Sequence, residues 1–395
     1  MLLTYVYFLC GRRAAIVSLA EQPRLLWVGL LLVMSAALAR EYDAEYLLAE
    51  PWHLLLSPLV SWAMATLIFA LVSTSRGYGD KPRPGWRAYA AFIGLFWMMS
   101  PMAWLYGIPY ERMLDESAAV DANLNTLRVL SLWRIFLAIR VVQVLFGLQA
   151  IRATVVVLCV ANLVMLAALH LVPAPIFGIM GGIQDMTVAE ERLGELVFLG
   201  KSLGMLAVLP LLITAAVALA GGVRSPVVLG TVGSGLRPLG WLGGAAILFW
   251  CCWLPWTQQE QRLRWRADQA ATVGAPALVA ELSRHAVHEY PSFWRPAPDA
   301  VRRQEPSVAL CMLAAYRSES AEWVRVHYRH RLKKVAYNHA DAVRLLDAID
   351  SDSDPQRLAA VFHSQLKYFA EFHPDLSLRE RAAHWMCVLP PLADR

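Results

Sequence analysis

Seven stretches of this chain are each close to long and apolar enough to cross a lipid bilayer. No other property narrows the fold as far. A bilayer core of about 30 Å needs roughly 20 apolar residues at 1.5 Å rise each. The stretches are Leu25 to Ala39, Trp52 to Ser73, Ala88 to Tyr106, Leu124 to Gly147, Ala153 to Val172, Leu196 to Ala220 and Leu239 to Trp256. An open chain in lipid must satisfy every backbone donor and acceptor within its own segment, so the spans are helices. The expected fold class is all-α: a polytopic helical membrane bundle of about seven spans over residues 1–256, a helical stalk over 257–271 and a soluble α-helical domain over 272–395. Only 17% of residues are charged, against about 25% in soluble domains. The deficit is confined to the part before Thr257. The first span can begin near Ala14, with Pro23 as a kink. Positive charge follows the apolar N-terminal stretch MLLTYVYFLCGRR, the reverse of a secretory signal.

Loop charge gives the orientation. Arg12, Arg13 and Arg24 precede the first span; Arg76, Lys81, Arg83 and Arg87 lie between the second and third; Arg152, then Arg224 and Arg237, follow in alternate loops. The other loops are acidic: Glu41, Asp43, Glu45 and Glu50; Glu111, Asp115, Glu116 and Asp121; Asp185, Glu190, Glu191 and Glu195. Positive loops stay cytoplasmic, which puts the N-terminus inside and, after seven spans, the C-terminal domain outside. Arg262, Arg264 and Arg266, soon after the last span, argue the other way.

The tail reads as short amphipathic helices: Pro276 to His288, Ser307 to Tyr316, Ala321 to Val335, Asp341 to Ile349, then a helix capped by Asp354 with Pro355 at its first position. That last helix carries Leu358, Phe362, Leu366 and Phe369 on one face. Ser377 and Glu380 are placed for a capping box of the final helix. Cys311 and Cys387 are the tail's two cysteines and can pair if the tail is outside.

Motifs for chemistry are sparse. Leu193 to Gly204 has the wrong Gly spacing for a phosphate loop, and Gly200 with Gly204 instead suits a close helix contact. Gly230, Gly233 and Gly235 do not fit a dinucleotide fingerprint. His327 and His330 are the candidate metal ligands, but five basic residues crowd them and no carboxylate stands at a matching offset, so no metal and no cofactor is expected. Those basic residues, Arg325, Arg329, Arg331, Lys333 and Lys334, form a candidate patch for anionic lipid or a polyanion; the alternative is a charged face paired with the acids of Asp347 to Asp354. Net charge is only +5 and spread over many loops, which argues against nucleic acid. No catalytic residue emerges. Away from their ends the spans hold no Asp or Glu, which disfavours a proton- or sodium-driven pump. They do hold Arg134, Arg140, Gln143 and Asn162, a candidate intramembrane anion site. An arginine at a bilayer centre costs about 2.5–3.5 kcal/mol on the insertion scale.

Three motifs, AREYDAEYLLAEPWHLLL (Ala39 to Leu56), LYGIPYERML (Leu105 to Leu114) and PWTQQEQRLRWR (Pro255 to Arg266), resemble those of multi-pass bacterial membrane proteins. The resemblance implies an inner membrane and no particular activity. The expected function is non-enzymatic: a membrane anchor for a helical interaction domain that meets a protein partner or anionic lipid. The alternatives are a transporter or channel for a small anion or lipid using Arg134 and Arg140, and a membrane-embedded enzyme on a lipid or envelope precursor.

Overall fold

A computed structural model gives the fold and describes residues 1–42, 45–73, 84–171, 188–221, 236–292, 294, 296, 308–317, 320–332 and 339–389. Every regular element among the described residues is helical. The chain divides into two compact units, residues 1–174 with 192–261, and residues 175–191 with 262–395. Arg76, Lys81, Arg83, Arg224, Asp43, Asp185, Gly230, Gly233 and Gly235 lie outside the described residues.

The first unit contains α1 (Leu2–Leu9), α2 (Arg13–Ala20), α3 (Leu25–Glu41), α4 (His53–Ser73), α5 (Trp86–Met98), α6 (Glu116–Phe146), α7 (Ala150–Leu171), most of α8 (Val188–Ala220) and the first part of α9 (Arg237–Val273). Among the described residues, six helical segments are long and apolar enough to cross a membrane, and the pair α2 and α3 makes a seventh if taken as one broken span. That pair meets at 109°, so Pro23 marks a break rather than a kink. Proline has no N–H to give and pushes the residue before it out of helical geometry. The chain turns instead through Gln22 N–H to Leu19 O (3.0 Å) and Leu25 N–H to Gln22 O (3.2 Å).

Other boundaries move for local reasons. The third expected stretch stops being α-helix at Met98 and continues as a 3₁₀ turn, Ser100–Gly107, because Pro101 cannot extend the ladder. A second short turn, Tyr110–Arg112, follows. α6 starts at Glu116, earlier than Leu124, because the Asp115 carboxylate accepts the Ala118 N–H at 2.8 Å, a helix cap that the apolar pattern does not contain. It ends at Gly147, whose φ of 68° is a left-handed stop.

Packing of the first unit is built on aromatic contacts and close backbone approach. Phe92 and Phe146 meet edge to face at 5.3 Å, and Phe69 joins Phe146 at 5.8 Å. A Cβ on Gly29 would fall 2.8 Å from the Gly94 carbonyl oxygen, and one on Gly94 would fall 2.7 Å from Leu25 Cγ. α3 and α5 therefore cross backbone to backbone, which only glycine permits. α1 is a separate helix that packs into this core: Phe8 is fully buried and the Tyr5 hydroxyl donates to Met98 O at 2.9 Å.

The second unit takes α9 beyond Gln261 and adds α10 (Ala275–Ser283), α11 (Val308–Arg317), α12 (Glu322–Leu332), α13 (His339–Asp350), α14 (Pro355–Val361), α15 (His363–Phe372) and α16 (Leu376–Val388). Ala267 and Ala271 of α9 lie in its core with Leu278, Met312, Tyr328, Leu346, Phe362 and Phe369. Asp354 caps α14 through the Arg357 N–H with Pro355 at the first position, as the sequence predicts. Three expectations need correction. The helix expected to reach His288 ends at Ser283, with a short 3₁₀ turn at Val287–Glu289. The face of Leu358, Phe362, Leu366 and Phe369 is buried but is split between two helices at Phe362. α16 is capped by Asp375, which accepts from the N–H groups of Ser377 (2.8 Å) and Leu378 (3.4 Å), so the Ser377–Glu380 box is not used. No disulfide joins Cys311 to Cys387, since Cys311 is packed in the core and Cys387 is exposed on α16.

Candidate functional site

The densest polar arrangement lies at one end of the first unit, where α3, α4, the two 3₁₀ turns and the middle of α9 meet. A small cluster of Leu38, Ala39, Tyr42 and Trp250 forms its apolar floor. Tyr42 and Trp250 rings are 5.3 Å apart. The Tyr42 hydroxyl donates to Gly107 O at 3.0 Å. Gly107 is required there, because a Cβ would overlap the Trp250 indole.

Above that floor one side chain holds a loop. Gln258 Nε2 donates to Tyr42 O (3.1 Å) and Glu45 O (2.9 Å), while its Oε1 accepts the Leu47 N–H (2.8 Å). Thr257, which is buried, donates its hydroxyl to Tyr42 O as well. Backbone groups of Tyr42, Glu45 and Leu47 are thus satisfied by side chains of α9 rather than by regular structure. Beside it, Arg112 pairs with both oxygens of Glu260 at 3.0 and 2.9 Å and lies 5.3 Å over the Trp256 ring. Asn123 bonds Glu111, and the Tyr110 and Thr126 hydroxyls are 3.0 Å apart, which ties α6 to the same place. His53 Nε2 is 2.9 Å from Glu50, and its Nδ1 is 3.8 Å from Glu41, whose other oxygen is 3.6 Å from Arg40. Every one of the three motifs singled out by resemblance contributes: Arg40 to His53, Gly107 to Arg112, and Trp256 to Glu260.

The four intramembrane candidates do not share one place. Arg140 and Gln143 bond each other, and Arg140 Nε donates to Gly11 O at 3.3 Å. Asn162 Nδ2 donates to Gly204 O at 3.0 Å, where a Cβ on Gly204 would come 2.9 Å from Leu166. This is the close α7–α8 contact expected from Gly200 and Gly204. Arg134 stands about 9 Å along α6 from Arg140 and on another side of the helix. Its electrostatic neighbours are Tyr106 and Arg40.

In the second unit, Arg325 and Arg329 share α12, and Arg329 bonds the Tyr316 hydroxyl with its guanidinium 5.9 Å from that ring. Lys333 and Lys334, and the side chains of Arg331 and His330, lie outside the described residues. His327 meets the Tyr328 ring edge-on at 5.1 Å. The described residues contain no group of three His, Cys, Asp or Glu side chains able to hold a metal ion. The acids of Asp347 to Asp354 find a partner that sequence reading missed. Arg381 reaches Asp347 at 2.8 Å and Asp350 at 2.6 Å, and Trp385 Nε1 donates to Asp350 at 2.7 Å.

No family model, curated protein or solved structure matches this chain.

Proposed function

We infer that this chain is an integral membrane protein whose bundle anchors a helical interaction domain. The observation that carries the reading is α9. Its 37 residues begin in an apolar stretch, hold the junction through Thr257, Gln258 and Glu260, and then supply Ala267 and Ala271 to the core of the second unit. One helix thus contributes side chains to both units. The junction also supports an extracytoplasmic tail. α9 reaches residue 257 at the end of the first unit where the acidic segments at Glu41 to Glu50 and Glu111 to Asp115 lie, opposite in sign to the arginine-bearing loops.

Cysteine labelling tests this reading. In a background without native cysteines, Leu48→Cys and Ser351→Cys react with an impermeant thiol reagent in the same sealed preparation. Trp86→Cys, at the opposite end of the bundle, reacts only after permeabilisation. Ser351→Cys following Trp86→Cys overturns the placement of the tail. Release of the whole chain by alkaline carbonate overturns the membrane reading itself. Cross-linking in cells tests the anchoring role: deletion of residues 307–395 removes the partner adducts, and an unchanged adduct set refutes the role.

A further inference from the structure

α15 turns one side inward and leaves the other bare. Gln365, Leu366 and Phe369 are buried, and α14 and α16 are the helices that pack on it. Ser364, Lys367, Tyr368, Glu371 and Phe372 are exposed, at the three- and four-residue spacing of a single helix side. That side is not polar throughout. Phe372 is 67% exposed and Tyr368 46%, and their rings lie 5.6 Å apart on the outside of the helix. At about 100° per residue the two aromatics form one edge of this face, and Lys367 with Glu371 forms the other.

The charged edge is not satisfied within the helix. Lys367 stands one turn before Glu371, the less favourable order for a pair on one helix, and neither makes an ion pair among the described residues. One positive and one negative charge in a fixed order complement the same edge read backwards. A twofold axis at the level of Phe369, two residues from each, sets Lys367 of one copy opposite Glu371 of an antiparallel second copy, and Glu371 opposite Lys367. The same operation lays Tyr368 and Phe372 of both copies along the other edge. Such self-complementarity is what an isologous contact requires. A surface of one charge sign would instead meet one attraction and one repulsion. Aromatic side chains bury about 150–250 Å² each when fully covered, so this face offers less than the roughly 800 Å² per partner of a stable complex. The pairing is therefore of the weak, reversible kind.

We propose that the outer face of α15 docks α15 of a second copy of this chain, packed antiparallel across a twofold axis. This deepens the reading above, on which it rests for the role of the second unit, by naming a partner. Energy transfer between donor- and acceptor-labelled full chains in detergent, followed over a concentration series, measures the pairing. The wild type pairs with itself. Lys367→Glu and Glu371→Lys, both at exposed positions, each weaken self-pairing about tenfold, because two attractions become two repulsions. Mixing the two variants restores pairing, since every facing charge is again opposite. Phe372→Ala weakens the pairing of the wild type. No concentration-dependent transfer in the wild type, wild-type pairing in either charge variant alone, or a mixture no better than its components overturns the proposal. A photo-cross-linker at residue 372 that labels lipid or an unrelated protein in place of a second copy also overturns it. Carbonate extraction of the same proteins reads membrane integration by itself. An integrated chain that never pairs loses only this contact, and a chain that pairs but washes off loses the membrane anchor.

Discussion

Replacing Gln258 with leucine removes three hydrogen bonds and little volume. The bonds are those to Tyr42 O (3.1 Å), Glu45 O (2.9 Å) and from Leu47 N–H (2.8 Å). Tyr42 O keeps a donor, because the Thr257 hydroxyl also bonds it. The real loss is therefore the Glu45 carbonyl and the Leu47 N–H. A partly buried hydrogen bond contributes about 0.5–1.5 kcal/mol net, so Gln258→Leu costs about 2 kcal/mol. At roughly 2–4 °C per kcal/mol for a unit of this size, the thermal midpoint of the first unit falls by about 4–8 °C. Differential scanning of the detergent-solubilised full chain measures it, with tryptophan emission reporting the junction through Trp250 and Trp256. Gln258→Glu keeps the acceptor for Leu47 but points a second oxygen at two carbonyls, so it is at least as damaging as leucine at neutral pH. Adding Thr257→Val to Gln258→Leu costs more than the sum of the single changes, since Tyr42 O then has lost both donors. A midpoint for Gln258→Leu within 1 °C of wild type, or strict additivity in the double variant, refutes the idea that Gln258 holds this loop.

Three further outcomes follow from the geometry. Arg381→Met loses the links to Asp347 and Asp350 and leaves two neighbouring acids without a cation, which costs about 1 kcal/mol because the group is partly exposed; chemical denaturation of the full chain reads it, and added salt shrinks the difference. Asn162→Leu removes the donor on Gly204 O and lowers bundle stability by about 0.6–1.7 kcal/mol, whereas a stabilised bundle would show that this contact is not made. The Glu289 carboxyl is held below its ordinary range by the Ala286 N–H and then by His285. A depressed carboxylate contributes stability above its unfolded value that is lost as pH falls through the folded one, so Glu289→Gln narrows the acid-side loss of stability below about pH 4.5, and identical acid profiles for the two proteins contradict this.

The long helices were legible because an apolar run of span length admits few alternatives in lipid, and Asp354 with Pro355 was legible because both cap signals are local. Arg381 was not, since its partners stand 31 and 34 residues earlier and no local pattern links them. Gln258 was hidden for another reason. It sits in TQQEQ, where Gln258, Gln259 and Gln261 are chemically alike, and only the phase of α9 decides which one meets the loop. The break at Pro23 and the docking of α1 both depend on what the rest of the bundle leaves open. The start of α6 was missed because it is set by the Asp115 cap, which lies well outside the apolar run.

The clamp on the loop after α3 also has a timing. Leu47 and Gln258 are 211 residues apart. At about 5–20 residues per second of synthesis, the loop waits roughly 10–40 s for the side chain that satisfies it. Until then Tyr42, Glu45 and Leu47 present bare backbone groups at the edge of a half-built bundle. A nascent chain arrested before residue 258 thus differs from a finished one at this loop, and completion of α9 removes the difference.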